Sequence, residues 1–438
     1  MRLYSVGFYT LGCKVSQYET EAIREGFRDA GFDVRSFEEK NDAYVINTCT
    51  VTSQSDSKSR KIIRRAIKQN PDAVIAVVGC YSQLSPDEVA AISGVDIVIG
   101  TDGKMAVVDL VKEMLEAESR EQIVSVSDVN TCGFEPMSIK EAERTRVYLK
   151  IEDGCESRCT YCAISKARGR VRSKPKDEVI SEVEALSASG VKEIVLTGIE
   201  TGSYGRDFSA DYGLADLICE LDRRGSCDLI RLGSLAPELV GKSFVDKIRD
   251  VKILAPHFHL SLQSGSDSVL ARMKRRYTRG MAIENVKRIR DAFPKATFTT
   301  DLMVGFPGES EADFLETVSL VHEIGLLDAH VFAYSRRRGT EADKFDRQIP
   351  ECEKAKRSEL LIREKNKSRD RILEGIVNSG DSLIAVMETE IDGVGYAAHS
   401  DTYVELVVKT ELQNLRGERI EVKPVSHKDG IVYAEPIR

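Results

Sequence analysis

Cys155, Cys159 and Cys162 stand in the stretch GCESRCTYCAIS, three thiols within eight residues and no histidine beside them. Thiols so clustered either pair as disulfides or bind metal. A disulfide would leave one thiol over and suits an oxidising compartment. Structural zinc takes four ligands, and no further His or Cys lies at finger spacing around this loop. An electron-transfer iron-sulfur cluster also usually takes four cysteines. Three thiols instead suit a cluster with one iron left open, a position that can bind a small molecule where a closed one cannot.

A second set is dispersed. Cys13, Cys49 and Cys80 each close a short apolar run, in SVGFYTLGC, DAYVINTC and AVIAVVGC, and polar helix-like segments separate them. Strand and helix signals alternating in this way predict a parallel sheet with crossover helices. Ligands of open parallel sheets sit beyond the carboxyl ends of the strands, so three thiols far apart in sequence are expected to meet there. Cys132, Cys219, Cys227 and Cys352 are isolated and read as small semi-buried hydrophobes.

The elements that must position these residues follow from length and pattern. With 438 residues the chain is expected to hold more than one core. The first is an N-terminal open parallel α/β domain over residues 1–130, in which GVDIVIG is a fourth strand and MAVVDLVKEMLEAE the last helix. Residues 119–145 lose periodicity and read as a linker. A second alternating region, 145–370, has six strand candidates: VYLKIE, EIVLTGI, LIRLGSL, HFHLSLQ, TFTTDLMVGF and DAHVFAYS. Six strand-helix units predict a partial (β/α)6 barrel with its active face at the carboxyl ends, where Cys155, Gly198, Ser234, Gln263, Gly305 and Tyr334 fall. The charged stretch ECEKAKRSELLIREKNKSRDRIL reads as a long surface helix. Short β-rich runs over 375–438 predict a small five-stranded antiparallel β-barrel. No run approaches the roughly 18 apolar residues of a membrane span, and the expectation is a soluble, cytoplasmic protein without a membrane partner.

C-x3-C-x2-C with Tyr161 before the last cysteine, at the end of a first barrel strand, resembles the radical S-adenosylmethionine superfamily. The segments RLGSLAP, HLSLQSGSDSVLARMKRRYT, DLMVGFPGE and VFAYSRRRGT resemble the methylthiotransferase branch, as do TLGCKVSQYET, VINTCTVTSQSDSKSRKIIRRA and VVGCYSQ near the N-terminus. The C-terminal barrel resembles a TRAM domain. The resemblance implies two [4Fe-4S] clusters, one on the catalytic Cys155, Cys159 and Cys162, which binds S-adenosylmethionine and generates a 5′-deoxyadenosyl radical, and one on Cys13, Cys49 and Cys80, which carries the sulfur to be transferred. It also implies cofactor contacts from Tyr161, Thr197, Gly198, Ser234, Gln263, Gly305 and Tyr334. Gly233 and Ala236 stand where the family usually has Ser and Glu. Of the three substrate branches, N6-threonylcarbamoyladenosine in the tRNA anticodon stem-loop matches best, ahead of isopentenyl-adenosine in tRNA and a ribosomal-protein aspartate. A one-electron donor protein is a further expected partner. A non-catalytic iron-sulfur or zinc RNA-binding protein is the alternative from another class.

The net charge of −8 excludes a generally cationic nucleic-acid binder, so RNA contacts must come from local patches. Lys58, Arg60, Lys61, Arg64, Arg65 and Lys68 follow Cys49 at helical spacing. Arg168, Arg170 and Arg172 follow the local triad, and Lys274, Arg275 and Arg276 follow a barrel strand. Both groups are expected on the active rim, with Arg168, Arg172 and Arg276 touching substrate. From Ile372 onward there are six Lys or Arg and twelve Asp or Glu. So acidic a barrel either holds RNA through one restricted surface, with Tyr396, His399 and Tyr403 stacking on bases, or mainly recognises protein or shape, and its charge equally suits the basic partner of the ribosomal-protein branch.

Overall fold

Residues 43–48 and 74–79 read AYVINT and VIAVVG, and all twelve are buried in the computed structural model, which describes residues 3–140 and 145–437. Strands buried on both faces belong at the centre of a parallel sheet. They are β3 (Ala43–Thr48) and β4 (Val74–Gly79), in a six-stranded sheet ordered β2-β1-β3-β4-β5-β6. The others are β1 (Ser5–Thr10), β2 (Asp33–Arg35), β5 (Ile97–Ile99) and β6 (Ile123–Ser125). All pairings in this sheet are parallel.

Helices cover both faces. Helix α1 (Lys14–Asp29) buries Val15, Tyr18, Ala22, Ile23 and Phe27, and with α5 (Val107–Glu116) closes the core around Val45, Val74 and Ile97. On the other face α2 (Ser53–Gln69), α3 (Cys80–Leu84) and α4 (Pro86–Ala90) pack Ile63, Tyr81 and Val89 against Ile46 and Val77. Thr52 caps α2 by accepting from the Ser55 N–H at 3.1 Å, satisfying one of the donors a helix start leaves over. The edge strands β2 and β6 were not expected. Each is three residues long with no residue fully buried, too short for a periodic signal, and β6 lies inside the stretch read as a linker. Residues 141–144 of that stretch lie outside the described residues.

The chain divides into two compact units. The first joins residues 1–139 with 148–174 and 335–343, so both cysteine triads belong to it. It contains β8 (Glu152–Asp153), antiparallel to β9 (Arg172–Ser173), and the short α6 (Ile164–Arg168); β7 (Arg146–Lys150) straddles the boundary.

The second unit holds α7 (Lys176–Ala188), β10 (Glu193–Thr197), α8 (Leu214–Arg224) and β11 (Ile230–Leu232), then β12 (Ser234–Leu235) and α9 (Lys242–Ile248). It continues with β13 (His257–Gln263), α10 (Asp267–Arg272), α11 (Arg279–Ala292), β14 (Thr297–Val304), α12 (Glu311–Ile324) and β15 (Asp328–Ala333). The pairs β10–β11, β12–β13, β13–β14 and β14–β15 are parallel. Helix α13 (Glu351–Ser379) is the expected long helix and leads to a closed barrel of β16 (Leu383–Ile391), β17 (Gly395–Ser400), β18 (Glu405–Lys409), β19 (Arg419–Lys428) and β20 (Ile431–Pro436). Closure needs one parallel pair, β18 with β20, so the barrel is not wholly antiparallel. Among the described residues no helix is long and apolar enough to cross a membrane.

Candidate metal centres

Cys13 sits at the N-terminus of α1, Cys49 directly follows β3 and Cys80 opens α3 directly after β4. Because β1, β3 and β4 are neighbours and parallel, the three thiols lie beyond adjacent carboxyl ends. The turns touch: a Cβ built on Gly12 would lie 3.3 Å from the Cys49 Cβ. Cys13 is exposed, Cys49 half-buried and Cys80 buried. Burial raises the Cys49 thiol and pushes that of Cys80 up to about 11, against the opposing pull of Arg168. Ligation requires these protons to leave, so metal uptake at this triad would release protons.

Arg168, expected on a substrate-facing rim, is instead fully buried. Its Nε donates to the Cys80 Sγ at 3.3 Å, Nη1 to Glu19 at 2.5 Å and to Asp153 at 3.1 Å, and Nη2 to the second Glu19 oxygen at 3.1 Å. Lys150 pairs with Glu19 at 2.9 Å and Asp153 at 2.6 Å, and Lys104 with Glu19 at 3.2 Å. Burial alone would raise the Glu19 carboxyl, yet Arg168, Lys104 and Lys150 together hold it well below the usual carboxylate range. Arg172 is buried as well, donating to the carbonyls of Arg168 at 2.8 Å and Val129 at 3.3 Å. These two arginines connect elements of the protein rather than present charge at its surface. Glu19, Cys80 and Val129 lie tens of residues away in sequence, which is why the ARGRVR run reads as a solvated rim. The one legible signal was Glu19, a carboxylate between Tyr18 and Ala22 on the apolar face of α1.

The local triad is held by backbone. The Cys155 N–H donates to the Gly169 carbonyl at 3.0 Å, Cys162 to Cys159 at 3.0 Å, and Ile164 to the Cys162 Sγ at 3.4 Å. Gly154 has φ +94°, and a Cβ there would lie 1.9 Å from the Arg170 carbonyl oxygen, so only glycine lets the strand turn into this loop. All three cysteines are half-buried, as is Tyr161. The segment 335–343, absent from the sequence-derived site, reaches both triads. The Ala342 N–H donates to the Thr160 carbonyl at 2.8 Å, and Lys166 to that of Gly339 at 2.6 Å. Arg337 pairs with Asp56 at 3.3 Å and bonds to Thr50, the neighbour of Cys49. Three consecutive arginines in VFAYSRRRGT were the available signal.

In the second unit Thr197 and Gln263 end buried strands, and Gly198 and Ser234 are half-buried beside them. Gln263 adopts φ +62°, the left-handed region that a glutamine rarely occupies, at the irregular end of β13. Gly305 and Tyr334 belong to a packing motif. The Lys354 Nζ donates to the Tyr334 carbonyl at 2.9 Å, and a Cβ on Gly305 would strike the Lys354 side chain at 2.4 Å. Arg276 and Lys274 are exposed, as expected of a rim, whereas Arg275 donates to the Ser261 carbonyl at 2.9 Å. The expected stacking aromatics are otherwise engaged. Tyr396 is buried, His399 pairs with Glu388 at 3.0 Å, and Tyr403 stacks on His257 at 4.3 Å and under Arg231 at 5.0 Å. Glu200 was missed: its buried carboxylate accepts from the Ala236 N–H at 3.1 Å, and burial pushes it up to about 7. His259 was missed too, linked to Thr299 at 2.9 Å and to Asp301 at 3.3 Å.

None of the six cysteines is in a disulfide, and both sets offer soft sulfur donors, the ligand type that iron-sulfur clusters take. Among the described residues no three His, Cys, Asp or Glu side chains surround a single point, so neither triad is a preformed cage for one ion. Residues 149–321 match the Radical SAM superfamily, and residues 5–100 the Uncharacterized protein family UPF0004. The chain is 40% identical to the threonylcarbamoyladenosine tRNA methylthiotransferase MtaB of Bacillus subtilis, over 98% of this chain and 95% of that protein. The Thermotoga maritima protein of the same name is 38% identical over 98% and 96%. A tRNA-2-methylthio-N(6)-dimethylallyladenosine synthase from Natranaerobius thermophilus is 33% identical over 99% and 98%. The fold is shared with the radical S-adenosylmethionine methyltransferase TsrM from Kitasatospora setae, at a TM-score of 0.56 and 16% identity over 78% and 77% of the two chains. Membership of the radical superfamily implies a [4Fe-4S] cluster and S-adenosylmethionine. With these matches spanning nearly its whole length, the chain belongs to the radical S-adenosylmethionine methylthiotransferase family.

Proposed function

We propose that this protein converts N6-threonylcarbamoyladenosine, beside the anticodon of tRNA, to its 2-methylthio derivative in the cytoplasm. The observation that carries the reading is the 40% identity with the Bacillus subtilis MtaB over essentially the whole of both chains. In this reading residues 1–130, 145–370 and 375–438 are three domains, and two clusters and two molecules of S-adenosylmethionine serve one reaction.

Bound to the protein, a [4Fe-4S] cluster with S-adenosylmethionine supplies a 5′-deoxyadenosyl radical, and a second cluster supplies the sulfur. Cys155, Cys159 and Cys162 would hold the first, with the Cys155 amide fixed by Gly169 and the Cys162 sulfur accepting from Ile164. Cys13, Cys49 and Cys80 would hold the second. Thr197, Gly198, Ser234 and Gln263, at strand ends, would orient S-adenosylmethionine with Tyr161. Exposed Arg276 would meet RNA phosphate, and the electron would come from a separate donor protein.

Nucleoside analysis of tRNA from a deletion strain tests this. The 2-methylthio derivative of threonylcarbamoyladenosine should vanish and return on complementation. Loss of the dimethylallyladenosine derivative instead would move the protein to the branch of its 33% identical relative. Unchanged tRNA would overturn the reading and direct attention to a ribosomal-protein aspartate. Zinc without iron or sulfide in the purified protein would leave only an RNA-binding role.

A further inference from the structure

Among the described residues, the ion pairs around Glu19 do not balance. Lys104, Lys150, Arg168 and Arg172 are joined to Glu19, Glu135 and Asp153, four cations to three carboxylates. All but Glu135 are buried, and Glu135 keeps only 9% of its side chain exposed. An uncompensated buried charge costs several kcal/mol, so an anion belongs against this network. The direction in which it lies is marked by Arg168. Its Nη atoms are committed to Glu19 and Asp153, while Nε points at the Cys80 Sγ, 3.3 Å away.

We propose that Arg168 is the positioning residue for an anionic iron-sulfur cluster on Cys13, Cys49 and Cys80, donating its Nε–H to the Cys80 sulfur while the surplus charge of its network offsets the cluster's. This rests on the reading that these thiols hold a cluster. A [4Fe-4S] core in its 2+ state with three thiolates carries one net negative charge, the amount the ion pairs leave uncompensated. Hydrogen bonds to ligand sulfur and nearby positive charge both make such a cluster easier to reduce. Arg168 is thus expected to tune this cluster as well as to order its surroundings.

The test uses full-length protein carrying Cys155→Ala, Cys159→Ala and Cys162→Ala, reconstituted anaerobically so that a single cluster remains, and follows its reduction by electron paramagnetic resonance. The parent should hold about four irons. Arg168→Lys, which keeps the charge but not the forked geometry, should retain the iron while its reduction equilibrium moves at least tenfold towards the oxidised state, ~59 mV for one electron. Arg170→Lys, at an exposed neighbour, is the control and should not move it. Four irons with an unchanged equilibrium in Arg168→Lys would overturn the proposal and leave the cluster reading intact. No iron in the parent would overturn both. Should Arg168→Lys fail to fold, Glu19→Gln adds one net positive charge to the same network and should shift the equilibrium towards the reduced state; no shift there would equally sink the proposal.

Discussion

The two cysteine triads are assembled by opposite means. Cys13, Cys49 and Cys80 are brought together by a parallel sheet, each delivered by a different strand and followed by a helix, and their surroundings are buried ions. Cys155, Cys159 and Cys162 come from one loop, fixed by amide-to-carbonyl bonds and laced to the segment 335–343. A sheet-borne triad depends on the whole core, whereas a loop-borne one depends on a few local hydrogen bonds and a glycine. Damage to the first should therefore register in folding, and damage to the second in chemistry.

The largest separation is expected from alanine triples. Replacing Cys155, Cys159 and Cys162 should abolish S-adenosylmethionine cleavage and lower bound iron from about eight to about four per chain, with little change in thermal unfolding. Replacing Cys13, Cys49 and Cys80 should leave cleavage in place, remove the methylthio product and lower the unfolding midpoint, because Cys80 is buried and Cys49 packs against the hydrophobic core of the sheet. Equal destabilisation by the two triples would erase the distinction.

Next in size is the support of the sheet-borne triad. Glu19→Ala leaves Arg168, Lys104 and Lys150 without their shared carboxylate and should cost about 3–5 kcal/mol. Urea denaturation followed by circular dichroism is the appropriate measurement, since the chain has no tryptophan to report fluorescence. A loss below about 1 kcal/mol, the range of an exposed ion pair, would show that water reaches these charges.

Much of this contrast was legible in the sequence. The central strands declare themselves because both faces are buried and the residues are Val and Ile, and each triad is marked by spacing or by strand ends. The barrel at the C-terminus followed from short strands and turn signals. What stayed hidden depends on long-range pairing. No local pattern tells a buried Arg168 from a solvated Arg170 two residues on, because the difference is made by Glu19, nearly 150 residues earlier. The parallel pairing of β18 with β20 is equally a property of closure, not of either strand.

Buried carboxylates extend the comparison to the second unit, and their pH dependences have opposite signs. Glu19 is held low by three cations, so its contribution is present at neutral pH and lost on acidification. Glu200 is raised by burial from 4.5 to about 7. Its folded form binds a proton more tightly than the unfolded chain does. The associated stability is therefore full below pH 4.5 and declines as pH rises through about 7, by ~3 kcal/mol in all. Glu200→Gln should flatten that decline between pH 5 and 7.5 in urea midpoints, and an unchanged slope would show that the carboxylate is solvated.

The smallest effects test the lacing of the loop-borne triad. Arg337 is buried and pairs with Asp56, so Arg337→Ala exposes a deficit of about 2 kcal/mol. Lys166 is exposed, and its Nζ donates to the Gly339 carbonyl at 2.6 Å. Lys166→Ala should cost under about 1 kcal/mol and leave unfolding almost unmoved. Its consequence should be local: with one anchor gone, the loop opens more often and a chelator should strip iron from Cys155, Cys159 and Cys162 a few-fold faster. In the background lacking Cys13, Cys49 and Cys80 that rate can be read for this cluster alone. A global loss of stability in Lys166→Ala, or no change in the stripping rate, would mean that the loop is held by the sheet after all, and the two triads would share one mode of support.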